Sequence, residues 1–110
     1  MGVSDFDLKS YCKSISGGRK ARVYLFEIDK KINLYKIGFT VNLLNRKRKL
    51  RASKILASSD RFDYGYTSIL EASAIRRFSE SFKKMIGKKE YFFIDESHLQ
   101  NCISYINSIK

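Results

Sequence analysis

The chain has 110 residues, 44% hydrophobic and 14% aromatic, which is enough apolar surface for one packed domain and too much for a disordered tail. Twenty-two Lys and Arg against eleven Asp and Glu leave a net charge of +11, which attracts polyanions. Nucleic acid is favoured over an anionic membrane surface because no long basic amphipathic anchor is present, and no apolar run approaches the ~20 residues of a membrane span.

In chain order, residues 4 to 15 read as a short helix with Ser4 as N-cap and Leu8, Tyr11, Cys12 and Ile15 on one face. Gly17 and Gly18 then break the chain, so residues 1–20 are expected as a helical appendage to a domain at 21–110. No signal-peptide core is read at the N-terminus, and Phe6 occupies the hydroxyl position of a myristoylation motif. A soluble, intracellular protein is expected. Cys12 and Cys102 are widely spaced and His98 is the only histidine, which excludes a Cys/His zinc cluster and leaves two buried thiols in a reducing compartment.

RVYLFEI (22–28) reads as a strand covered on both faces, DKKINL as a polar turn and YKIGFT (35–40) as a second, antiparallel strand. A basic helix is expected at about 41–52. After a polar stretch, FDYGYTS (62–68) reads as a third strand. A helix follows at about 69–86, with Ile75, Phe78, Phe82 and Met85 on its apolar stripe and Gly87 as its stop. EYFFI (90–94) is apolar with open geometry. A last helix at about 96–108 carries Leu99, Cys102, Ile103 and Ile106 on one stripe. The fold expected is α+β, a small three-stranded antiparallel sheet flanked by helices.

Two charged residues fall at places where charge is costly. Arg46 lies three residues after Leu43 and four before Leu50, so it borders the packed stripe of the basic helix and is expected to be partly sheltered. Its plainer reading is a stem laid over the core edge with its head in water. Glu71 precedes Ile75 by four and Phe78 by seven, heading the stripe of its helix, where a carboxylate needs a partner or a metal. The alternative is a capping box, with Ser68 as N-cap and Glu71 at N3. Tyr24, Tyr35 and Lys36 lie on the two hairpin strands, where tyrosines ordinarily serve packing. Arg46, Lys47, Arg48, Lys49, Arg51 and Lys54 put six cations into nine residues. That cluster reads either as a solvated face or as a phosphate-backbone contact; without a counter-anion its members repel one another, which favours the contact.

Taken together, these residues resemble the GIY-YIG nuclease superfamily, and more closely a small phage and viral branch whose second motif is K-I-G. Arg22-Val23-Tyr24 stands as the first motif and Lys36-Ile37-Gly38 as the second. Arg46 follows the motif glycine by eight positions, Glu71 lies on the next long helix, and Glu90-Tyr91-Phe92 matches a late E-[WY]-F. The likeness covers residues 22 to about 94. The first motif lacks its glycine, Lys36 replaces the second tyrosine, Leu50 stands where relatives often carry His or Tyr, Ile75 where this branch often has His, and a late asparagine has no clear counterpart. The resemblance implies a DNA endonuclease with Glu71 holding Mg²⁺ or Mn²⁺ and Arg46 clamping phosphate. It also implies that Tyr24 activates water, tuned by Lys36 or Tyr35. No small-molecule cofactor and no membrane partner are expected. A double-strand break from one site per chain favours a homodimer. The alternatives are a non-catalytic nucleic-acid-binding module of the same fold and a small RNA- or ribosome-associated protein, the latter disfavoured by the lack of an aromatic-rich RNA-binding motif.

Overall fold

The computed structural model describes residues 18–88 and 90–110; the helix expected at 4–15, Cys12 and nearly all of the expected appendage lie outside the described residues. The fold is α+β. Its backbone runs β1 (Lys20–Asp29), a 3₁₀ turn (Lys30–Ile32), β2 (Leu34–Thr40), α1 (Leu43–Leu50), β3 (Lys54–Ser58), β4 (Phe62–Asp63), α2 (Tyr64–Ser81), β5 (Lys83–Lys84), β6 (Tyr91–Phe93) and α3 (Glu96–Asn107). The strands join in the order β3-β1-β2-β6-β5, with β4 pairing the start of β1, and all pairings are antiparallel.

The β1–β2 hairpin is closed by Asn33 in the left-handed conformation (φ 54°), which Asn tolerates better than most residues. It sets the register that matters most, with Tyr24 opposite Gly38 and Phe26 opposite Lys36. Because strand side chains alternate between faces, the hairpin feeds two cores. Val23, Leu25, Tyr35 and Ile37 join Ala57, Phe92 and Ile94 against Ala74 and Phe78 of α2 and Cys102 and Ile106 of α3. Tyr24 and Phe26 face the other way, with Ala52, and take Leu43 and Leu50 of α1 and Ile55 of β3 as lids. The sheet is thus sandwiched between α1 on one side and the longer helices on the other.

Several sequence expectations are corrected. The sheet has six strands among the described residues, not three. The third strand of any length is β3, inside the stretch read as polar; Ile55 packs on one core and Ala57 in the other because the β1–β3 pairing shifts register between Leu25 and Phe26. Only Phe62 and Asp63 of FDYGYTS are extended; from Tyr64 the chain is helical, and Tyr66, Leu70, Ala74 and Phe78 form a four-residue stripe that the tyrosine alternation had disguised. That helix ends at Ser81 rather than near 86, leaving Phe82 extended, Met85 in the β5–β6 connection, and Gly87 (φ 79°) in that turn instead of a helix stop. Ser68 is therefore inside α2, whose N-cap is Asp63, so the capping-box reading of Glu71 falls. Helix α1 is shorter than read. Asn42 caps it by accepting from the Asn45 backbone at 3.0 Å, and Arg51 ends it with φ 56°, a turn usually given to glycine. The final helix and its stripe lie as expected, and Cys102 is a buried free thiol.

Candidate active site

Tyr24 is almost wholly buried, yet its hydroxyl reaches the floor of a cleft of about 180 Å³. The reason lies across the ladder. A Cβ at position 38 would collide with the Tyr24 hydroxyl and ring, so glycine is what lets the phenol lie over β2. Phe26 stacks beneath it with ring centroids 3.8 Å apart and fixes its tilt.

Lys36, two residues before Gly38, points to the same face and is also buried. Its ammonium forms an ion pair with Glu90, which stands just before β6, and lies 5.1 Å from the Tyr91 ring centroid and 6.0 Å from that of Tyr24. The antiparallel pairing of Lys36 with Tyr91 carries Glu90 to this point. Glu71 enters from α2, one turn after Thr67, whose hydroxyl donates to the carbonyls of Asp63 (3.0 Å) and Ala21 (3.3 Å) and ties the helix start to β1. Arg46 closes the cleft from α1; the residue is exposed, not partly sheltered as the helix pattern implied, and its guanidinium forms the solvent wall.

The electrostatics follow from this crowding. Burial pushes the Glu71 carboxyl up to about 7, with the nearby Glu90 charge adding to the rise and Lys36 opposing it. Burial also raises the Tyr24 phenol well above its ordinary value; Arg46 pulls it back, while Glu90, Glu71 and Tyr91 push it further up. Two carboxylates, one buried ammonium, one open guanidinium and one protonated phenol therefore share a small volume.

Four residues singled out in the sequence, Tyr24, Lys36, Arg46 and Glu71, meet here. Tyr35 does not. It is buried on the opposite face of the sheet, in the main core, and its hydroxyl has no hydrogen-bond partner among the described residues. Arg48, Lys49, Arg51 and Lys54 are exposed and Lys47 is half-exposed around α1 and the start of β3. None of these, nor Arg46, makes an ion pair among the described residues. The sequence reading gave Glu90 no role although its motif was noted. It missed Phe39 and Tyr64, which meet edge to face at 5.0 Å and line the cleft mouth. Tyr64 had been read into a strand, so no helix pattern pointed to it.

No family model matches the chain, and no curated protein or solved structure matches it either.

Among the described residues no three His, Cys, Asp or Glu side chains cluster as a dense ligand set. The cleft does fit a cation that keeps most of its waters. Mg²⁺ is commonly held by one or two carboxylates plus substrate phosphate, and Glu71, half-buried beside Glu90, has its charged form disfavoured, a cost that a bound cation would offset. No helix among the described residues is long and apolar enough to cross a membrane.

Proposed function

We propose that the chain is a metal-dependent DNA endonuclease that hydrolyses phosphodiester bonds, with its reaction centre in the Tyr24–Arg46–Glu71 cleft. The observation that carries this reading is convergence. Residues from β1, β2, α1, α2 and the entry to β6 supply a phenol, a guanidinium, an ammonium and two carboxylates to one cleft beside a basic helix that makes no ion pair among the described residues. The resemblance of the motif order to GIY-YIG nucleases, of the K-I-G branch, supports the same reading. Together with the hairpin-then-helix arrangement it favours a GIY-YIG-like architecture.

In this mechanism Arg46 takes two oxygens of the scissile phosphate with its planar fork, a task for which lysine lacks the geometry. Tyr24, kept protonated by burial, accepts a hydrogen bond from the attacking water and orients it toward phosphorus. Lys36, steadied by Glu90, places positive charge beside the phenol and lowers the cost of negative charge on the attacking oxygen, whose proton passes to the solvent in the cleft while the departing oxygen takes one up from solvent. Glu71, with Glu90 near it, would hold Mg²⁺ or Mn²⁺. When bound, that ion supplies positive charge for the phosphate and the departing oxygen. Each electrostatic contributor is worth about 10²–10³ in rate.

A plasmid-cleavage assay tests the proposal. Wild type, Glu71→Ala and Arg46→Ala are compared with Mg²⁺, with Mn²⁺ and with EDTA. Metal-dependent cutting that both variants lose while still binding DNA is the expected result. A Glu71→Ala protein that cuts as fast as wild type overturns it, and a wild type that binds but never cuts leaves a binding module of the same fold.

A further inference from the structure

Helix α1 has two flanks, and the cleft occupies only one. Leu43 and Leu50 face the sheet as part of the second core. At about 100° per residue, Arg46 falls about 60° to one side of Leu43 and Leu44 about 100° to the other. Strand order agrees with this. The cleft lies toward β2 and β6, through Lys36 and Glu90, whereas the other flank lies toward β3 and β4. On that second flank a groove of about 300 Å³ runs between Arg22 of β1 and Arg61 of the β3–β4 link, with Val41, Asn42, Leu43 and Leu44 completing its walls.

Its chemistry suits a phosphate strand. Two arginines line the groove and, among the described residues, no carboxylate does. Arg22 is pre-positioned, because its Nη1 donates to the Ser59 carbonyl at 2.9 Å, and a guanidinium has further N–H groups to offer a ligand. Arg61 is exposed. Leu44 and Val41 are 67% and 54% exposed, large apolar side chains placed where a sugar or a thymine methyl meets them. The outward face of α1, between the two flanks, carries the exposed Asn45, Arg48 and Lys49. A helix of ~10–12 Å diameter matches a major groove about 12 Å wide.

We propose that the Arg22–Arg61 groove seats the uncut strand of a nucleic-acid duplex whose other strand lies in the cleft, with α1 entering the major groove between them. The inference rests on the reading of the cleft as a phosphodiester site and adds the second strand to it. Arg22 and Arg61 contact phosphates of the far strand, and Asn45, Arg48 and Lys49 face base edges. The partner is thus double-stranded, and single strands fill only half of the surface.

The test is equilibrium binding in EDTA, so that cleavage plays no part. The probes are a DNA duplex, the single strand alone, and the same strand paired with an uncharged peptide nucleic acid. Wild type is expected to prefer the duplex. Arg61→Ala should weaken duplex binding several-fold and lower the slope of log K against log salt by about one, the release from one phosphate, while leaving the other two probes unaffected. Arg22→Gln with Arg61→Ala should lower the slope by about two. Equal losses on all three probes, no loss on any, or a wild type that binds single strand as tightly as duplex overturns the proposal. Failure of the nuclease reading shows elsewhere, as cleavage undiminished by Glu71→Ala, and leaves this binding result readable by itself.

Discussion

The Tyr24 phenol occupies the space that a side chain at position 38 would need. The two residues are cross-strand partners, and the collision is with the hydroxyl and ring carbons of a tyrosine packed on Phe26, which has no freedom to withdraw. Gly38→Ala is therefore expected to destabilise the fold by about 1–3 kcal/mol through overpacking, although the strand backbone at position 38 has no positive φ that demands glycine. Denaturant titration measures the cost. In a double-mutant cycle, Gly38→Ala should cost clearly less in a Tyr24→Ala background, because the clash is gone; full additivity would contradict the packing described.

The two hairpin tyrosines separate cleanly. Tyr35 is fully buried with its hydroxyl unsatisfied, so Tyr35→Phe removes a desolvated polar atom at no loss of packing and should leave melting temperature unchanged or higher. Cleavage should also be unchanged. Tyr24→Phe removes the hydroxyl at the cleft floor and should lower the cleavage rate by about 10²-fold while keeping the fold, as stacking on Phe26 needs only the ring. Thermal melts and, for the proposed reaction, single-turnover cleavage of both variants check this, and a Tyr35→Phe variant that cuts slowly would return that residue to the site.

How far the sequence disclosed this arrangement depended on which force placed each residue. The hairpin, the basic helix and the last helix were legible because local pattern and burial agree there: a near-continuous apolar run in β1 covered on both faces, and stripes at three- and four-residue spacing in α3. Glu71 was legible as an anomaly of charge against a stripe, whereas the same argument misplaced Arg46, which is exposed at the cleft and not sheltered. The β3 strand was not, because its burial comes from pairing with β1 across a register shift between Leu25 and Phe26, and a bulge breaks the simple alternation. Nor was the start of α2, since Tyr64, Gly65 and Tyr66 carry poor helix formers and Asp63 spends its carboxylate on Lys20 at 3.0 Å instead of capping. The face of Tyr35 was a matter of parity, visible once Tyr24 and Lys36 were assigned to the cleft. Glu90 reached the site through the pairing of β6 with β2, a long-range contact that no local pattern encodes.

The Lys36–Glu90 pair is asymmetric, with the lysine side chain 9% exposed and the glutamate 41% exposed. Glu90→Ala leaves a buried ammonium without its partner and should destabilise the fold by about 1–2 kcal/mol, less than a fully buried pair because water already screens the glutamate. Lys36→Met in the Glu90→Ala background removes the orphaned charge and should recover most of that loss in denaturant titrations, while cleavage stays low in both variants. A Glu90→Ala protein as stable as wild type would mean that the pair contributes little to stability.

Glu71 should make both stability and metal binding depend on pH in opposite senses. Its folded value is pushed up to about 7 from an ordinary 4.5, chiefly by burial, so between those values the folded chain holds a proton that the unfolded chain has released. Stability from this group is fully present below about 4.5 and is lost as pH rises toward about 7. Glu71→Gln cannot ionise, so its melting temperature relative to wild type should rise from pH 4 to pH 8, the size of the change reduced by the solvent that reaches this half-buried side chain. A cation reverses the preference, since it binds the ionised carboxylate. The Mg²⁺ concentration for half-maximal cleavage should therefore rise roughly tenfold for each unit of pH below about 7 and level off above it. Added Mg²⁺ should raise the melting temperature of wild type at pH 8 and leave Glu71→Gln unmoved. Equal Mg²⁺ stabilisation of the two proteins would place the ion away from Glu71.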